Sequence, residues 1–410
     1  MKPALLFLAH RIPYPPDKGD KIRSWNLLRH LSQSFRIYLG TFIDDPRDWQ
    51  FTGVLDEVCE ECKFIALDPR FAKLRSLSGF ITGRALSEPY YQNSDLHEWV
   101  ETTVKQNGIE HLVVYSSPMA QYVSGSEFDH CTRVIDFVDM DSDKWRQYAA
   151  LKRWPLNWVY RREATRLLHF ERGIAKQFNA SLFVSEAEAD LFRNHAQESR
   201  QRISHYNNGV DIDYFDPSIG FENPYSPDSE ILVFTGAMDY WPNVDAVKWF
   251  AEQVWPILRK SRPQLQFFVV GSKPTADVTA LAAIDGITVT GRVEDIRPYI
   301  ACANVAIAPL RVARGIQNKV LEAMAMAVPV VVSPQGLEGI PARHEQEVLV
   351  AKSADEYRNW IIALLDNQFA ELADAGRSFV HNNFTWSQSL PRVTQLLTDK
   401  SMIMEALCEH

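Results

Sequence analysis

Residues 306–333 read AIAPLRVARGIQNKVLEAMAMAVPVVVS, and the order of elements in this stretch sets the fold class. Val305 to Ala308 is a short apolar, β-branched run, which predicts a strand. Pro309 to Gln317 holds one Pro, one Gly and two Arg, which predicts a loop. Asn318 to Met326 is an unbroken run of good helix formers. Pro329 stops that helix, and Val330, Val331 and Val332 form a strand of the parallel, doubly buried kind. A loop that opens a helix at the carboxyl end of a parallel strand is where α/β sheets bind ligands. The helix start offers free N–H groups and a positive dipole end, which suit phosphate.

Charge gathers at the same place. Arg311, Arg314 and Lys319 crowd the helix start, and Glu322 lies one turn in, among apolar neighbours. Side chains on a helix lean toward its N-terminus, so Lys319 and Glu322 can both face a ligand. A cation there neutralises a diphosphate, and a carboxylate can take both hydroxyls of a ribose. The plainer reading is an exposed i, i+3 pair worth about 0.2–0.5 kcal/mol.

Outward from this stretch, strand patterns alternate with helical ones along most of the chain. Ala4–Ala9, Arg36–Phe42, Phe64–Leu67, Leu112–Tyr115, Val134–Val138, Leu182–Ser185 and Ile203–Tyr206 precede an irregular, proline-rich stretch at 213–228. Ile231–Thr235, Gln266–Val270, Ile287–Thr290, Val305–Ala308, Val328–Val332 and Val348–Val350 follow it. Strands separated by helices imply one parallel sheet per half. The expectation is an α/β protein of two doubly wound, Rossmann-like domains facing an interdomain cleft. Residues 1–217 make the first and 218–384 the second, with a helix in 385–410 packing back on the first.

Composition narrows the function. A chain of 410 residues with 46% apolar and 23% charged residues is an ordinary globular protein. A net charge of −9 argues against general nucleic-acid binding. Five Cys make no disulfide framework, so a reducing cytoplasm is expected. Cys59 and Cys62 form a single C-x-x-C with no second pair to complete a zinc site, and read as two partly buried thiols. The apolar run Ala4–Ala9 is too short for a signal sequence and reads as the first strand. No run approaches the roughly 18 residues of a membrane span.

Four further stretches carry candidate chemistry. The loop from Arg11 to Arg23 places Gly19 before a helix, with Lys18, Lys21 and Arg23 able to meet an anion. VIDFVDMDSDKW (Val134–Trp145) follows a strand with Asp136, Asp139, Asp141 and Asp143; Asp139, at the strand end, is best placed to reach the cleft, and the others suit helix caps. A calcium loop is disfavoured, since its central Gly and terminal Glu are missing. Lys144–Arg172 carries eight basic and two acidic residues with Trp145, Trp154, Trp158 and Tyr160 among them. That composition suits an anionic membrane surface, or an amphipathic helix that buries its Trp. GAMDYWPN (Gly236–Asn243) is the second domain's first strand-to-helix loop, with Asn243 a candidate cap.

Together these motifs resemble the retaining glycosyltransferases of family four, with the GT-B fold. NGVDIDYFDP (Asn208–Pro217), GRVEDIRPYIACANVAIAPL (Gly291–Leu310) and KVLEAMAMAVPVVVS carry the resemblance. DKGDKIRSWNLL, the VDMDS-x-KW segment and GIQNKVLEAMAMAVPVV are more narrowly similar to sugar transferases of bacterial PEP-CTERM/exosortase systems. That implies exopolysaccharide or surface-glycan assembly.

The resemblance implies a UDP- or GDP-linked sugar donor on the second domain, a glycan or lipid-linked acceptor on the first, and neither metal nor cofactor. Glu322 would bind the ribose hydroxyls. The backbone of Gly315, Ile316, Gln317 and Asn318, with Lys319, would hold the diphosphate. Val293 would meet the base through its main chain, Gly19 and Gly236 would let their loops close on phosphate, and Asp139 falls near the sugar. Three departures stand out. Arg314 occupies the position eight before Glu322 where the family has a carboxylate, and Ala327 replaces a usual Gly. The Arg and Lys customary near Gly236 are also absent, with Tyr240 and Asn243 in that region; Arg292, Arg311 or Arg314 would compensate. A non-catalytic sugar-nucleotide or glycan-binding module and a sugar-nucleotide epimerase remain open on the same architecture.

Overall fold

The computed structural model describes every residue except 1, 17, 152, 228, 314 and 400–410, and at 151 the backbone alone. The reading of Arg314, and the tail beyond residue 399, therefore lie outside the described residues. The chain divides into one unit made of residues up to Asn207 with those from Leu390 on, and a second unit, Asn208–Ser389.

The first unit holds seven parallel strands: β1 (Ala4–Ala9), β2 (Arg36–Ile43), β3 (Glu61–Ala66), β4 (His111–Tyr115), β5 (Thr132–Val138), β6 (Ala180–Phe183) and β7 (Ile203–His205), in the order β3-β2-β1-β4-β5-β6-β7. β1 is buried along its whole length, as a strand covered on both faces must be, and it runs ALLFLA without alternation for that reason. Helix Gly19–Ser32 follows it and buries Trp25, Leu27, Leu28 and Leu31.

The second unit holds β8 (Glu230–Thr235), β9 (Leu265–Val270), β10 (Ile287–Gly291), β11 (Val305–Ala308), β12 (Val330–Val332) and β13 (Leu349–Val350), in the order β10-β9-β8-β11-β12-β13, again all parallel. In each sheet the strand order reverses beside the first strand, β1 or β8. That is the topological switch point, where doubly wound sheets open a crevice.

Three boundaries differ from the sequence expectation. Residues 208–217 fall in the second unit. Val210, Ile212 and Phe215 pack into that unit's core, and the Val210 N–H donates to the Phe384 carbonyl at 2.7 Å. The tail is two short helices, Trp386–Ser389 and Pro391–Thr398, because Pro391 starts a helix rather than continuing one. The unit boundary also falls there, at Ser389/Leu390. The basic stretch is likewise two helices, Asp141–Leu151 and Leu156–Gln177.

Candidate functional site

The carboxyl ends of β8, β9 and β11 build one cluster in the second unit. Gly236 directly follows β8 with φ of +150°, and a Cβ there would lie 2.8 Å from Asn243 Nδ2 and 3.0 Å from Lys319 Nζ. Gly271 directly follows β9 with φ of +155°, where a Cβ would overlap the Gly236 carbonyl oxygen. Only glycine fits at either place. Lys319 Nζ donates to Asn243 Oδ1 at 2.5 Å and sits 4.1 Å from the centroid of Phe234. Asn243 Nδ2 donates to the Ala237 carbonyl at 2.9 Å. Asn243 is therefore no helix cap: helix Trp241–Gln253 begins two residues earlier, and Asn243 ties the loop to Lys319.

Lys319 and Glu322 are half-buried rather than an exposed surface pair. Burial pushes the Lys319 ammonium down to about 7, with Glu322 partly opposing the fall. Burial pushes the Glu322 carboxyl up to about 7, with Lys319 partly opposing the rise. Among the described residues no hydrogen bond or ion pair within 4 Å joins the two, so each keeps capacity for a ligand. A cation held against an aromatic ring, with its charge disfavoured by burial, is electrostatically suited to an anion.

The helix that carries both residues is Asn318–Ala325. It buries Val320, Leu321, Ala323, Met324 and Ala325, so its polar residues are left at its start and along one side. Gly315 precedes it with φ of +63°, and Gln317 Nε2 donates to the Gly315 carbonyl at 3.1 Å. Asn318 Oδ1 is buried without a protein hydrogen-bond partner, so it is open to a donor from outside the chain. Ile316 is buried below the loop.

The other predicted donor residues are placed differently. Arg311 Nε donates to Asp245 Oδ2 at 2.9 Å and Arg311 lines an open groove with Trp241 and Asp277, so it is not part of the Lys319 cluster. Arg292 is exposed, and Val293 packs at the margin of the core that holds Val320. Gly19, in the first unit, starts its helix with no left-handed φ, and a Cβ there would meet nothing. Sequence reasoning missed Gly271 and Asn318's orphan oxygen. It also missed Tyr214, which stands in the field of Glu322 and under Arg297, 3.9 Å from the ring centroid. A second Gly directly after a second strand was the available signal for Gly271.

In the first unit, Lys21 and Arg23 are not anion ligands. Lys21 Nζ donates to Asp48 at 2.7 Å, and Arg23 Nε to Asp136 at 2.8 Å, with both cations fully buried. Charges removed from water need such partners. Asp136 also accepts from the Tyr206 hydroxyl, and Asp143 accepts from Arg146 and Gln147. The caps of helix Asp141–Leu151 come instead from Glu188, which accepts from the Met140 N–H, and Glu171, which accepts from the Ser142 N–H. Asp139 follows β5 and accepts from Lys144 Nζ at 2.7 Å. Burial would lower the Lys144 ammonium, but Asp141 and Asp139 outweigh it and hold the proton well above its usual value. Cys59 is buried and Cys62 half-buried, both as free thiols.

Residues 229–367 match the family described as "Glycosyl transferases group 1". No curated protein matches the chain in sequence. Among solved structures, Anabaena Alr3699/HepE in complex with UDP has a TM-score of 0.66 at 14% identity, over 97% of this chain and 100% of that one. The sucrose-phosphate synthase of Thermosynechococcus elongatus has 0.66 at 18%, over 96% and 98%. WaaG, a glycosyltransferase involved in lipopolysaccharide biosynthesis, has 0.64 at 15%, over 96% and 100%. The fold is therefore GT-B, with two Rossmann-like units, and the second unit carries a glycosyl transferases group 1 domain. Among the described residues, no helix is long and apolar enough to cross a membrane.

Proposed function

We propose that the protein is a retaining glycosyltransferase, moving a sugar from a nucleotide-diphosphate sugar to a glycan or lipid-linked acceptor in surface-polysaccharide assembly. The observation that carries this reading is the convergence of Gly236, Asn243 and Lys319 at the switch point of the second sheet, with Glu322 in the field of Lys319. The HepE structures with UDP and UDP-glucose favour UDP as the nucleotide.

In this reading Lys319 and the N–H groups from Gly315 to Asn318 meet the diphosphate, and Glu322 accepts from the ribose hydroxyls. As the bond from the anomeric carbon to the diphosphate breaks, negative charge grows on the leaving oxygen. The acceptor oxygen bonds to the same face of that carbon, and its proton passes to the leaving phosphate. Preformed donors aimed at that charge are the main catalytic term, and losing one costs about 2.7–4 kcal/mol. The step as written uses no metal. Asp139, in the first unit, is assigned to the sugar or acceptor.

The test combines isothermal titration with a transfer assay on membrane-lipid extract. Lys319→Ala should lower kcat more than donor affinity, since its interaction strengthens in the transition state. Glu322→Gln should lose donor affinity first, by about 1.5–3 kcal/mol. Asp139→Asn should keep nucleotide affinity and lose at least about tenfold in kcat. Donor binding without transfer in the wild type would reduce the protein to a binding module; variants that bind and turn over donor normally would remove the site.

A further inference from the structure

We infer that the first unit docks on an anionic bilayer through a surface built by residues 69–84 and the start of helix Leu156–Gln177. The inference deepens the reading of a lipid-linked acceptor and rests on it only for its purpose. Two short helices, Pro69–Ser76 and Ser78–Thr82, leave Phe71, Leu74, Leu77 and Ile81 in solvent, with Phe71 72% and Ile81 90% exposed. Beside them Trp154, 80% exposed, stands with Leu156 and Trp158, also exposed. The two sets are joined physically: Phe80 stacks on Trp158 with centroids 6.2 Å apart, Arg162 lies 4.7 Å from the Phe80 ring, and Arg162 also donates to the Gly79 carbonyl at 2.5 Å. Apolar side chains this large do not gather in water on a soluble protein without an occupant.

Charge names the occupant. Residues 69–84 hold four basic and no acidic residues, and 153–162 hold three basic and no acidic, in a chain of net charge −9. Arg70, Lys73, Arg84, Arg153 and Arg161 are exposed. Apolar and Trp side chains inside a basic rim match the acyl boundary and the anionic headgroups of a leaflet. The structure also divides the aromatic residues of this stretch. Trp145 and Tyr160 turn in on each other with centroids 5.1 Å apart, while Trp154 and Trp158 are left outward. The docking surface is thus not the whole of residues 144–172 but its turn, together with helices that precede it by some 70 residues of sequence.

The experiment is co-sedimentation of the full chain with phosphatidylcholine vesicles, with and without phosphatidylglycerol, and no donor present. The wild type should bind the anionic vesicles and release as salt rises. Ile81→Asp with Trp154→Asp should lower partitioning by roughly tenfold or more, and so should Arg153→Glu with Arg161→Glu, both keeping native circular dichroism and donor binding. Equal binding to neutral vesicles, no binding, or unchanged binding by both variants overturns the inference. So does a lipid-free dimer that the same substitutions dissociate, since a second copy would then be the occupant. Vesicle binding without sugar transfer would count against the proposed activity alone.

Discussion

Lys319 is the residue on which the proposed donor site turns. Its ammonium is pushed down to about 7 by burial, with Glu322 partly restoring it, so a bound diphosphate must raise it again. Above that range, binding therefore takes up a proton, and donor affinity should fall as pH rises, approaching tenfold per unit. Titrations at alkaline pH in buffers of different ionisation enthalpy should give different apparent enthalpies, and a buffer-independent enthalpy would remove the coupling. Lys319 and Glu322 could be named from sequence because their spacing on a helix start carries its own chemistry. Asn243 was named for another reason, as a cap. Its bond to Lys319 spans 76 positions, and no local pattern encodes such a contact. Lys21 and Arg23 show the same limit in reverse: a basic loop looks free until the fold supplies Asp48 and Asp136.

The helix Asn318–Ala325 shows how an element is ended as well as begun. Ala327, just past its end, takes a left-handed φ of +54°, the conformation for which glycine is the usual choice. A non-glycine residue there costs roughly 1–2 kcal/mol, and glycine gives back roughly 0.5–1 kcal/mol through its freer unfolded chain. Ala327→Gly should therefore stabilise the second unit by about 0.5–1 kcal/mol, seen as a melting shift of about 1–4 °C in calorimetry; an unchanged or lowered melting temperature would sink the argument. The family resemblance marked this position as one where glycine is customary, and the backbone gives the physical reason. Elements of regular period were legible in this way: among the described residues, each of the thirteen strands overlaps a run read as a strand, though β3 begins three residues before its run. Where proline interrupts, at Pro155 and Pro391, helices expected to be continuous are split.

At the scale of the whole molecule the tail belongs with a part of the chain far from it in sequence. Val393 and Leu397 are buried, and His30 Nε2 and Thr394 Oγ1 lie 2.9 Å apart. Leu397→Ala should cost the first unit about 2–5 kcal/mol while leaving unchanged the UDP affinity proposed for the second unit. Calorimetry with nucleotide titration checks this, and a parallel loss of UDP affinity would refute the independence of the two units. By itself the sequence determined the parallel α/β class, the two sheets and the helix that presents Lys319 and Glu322, because periodicity, turn residues and helix-start chemistry are local. The tertiary structure alone decided where the units divide, which cations are internal, that Gly236 and Gly271 press together over Lys319, and that Trp154 and Ile81 share one face. Each of these depends on what packs against a residue from elsewhere in the chain, and burial is a property of the fold rather than of the string.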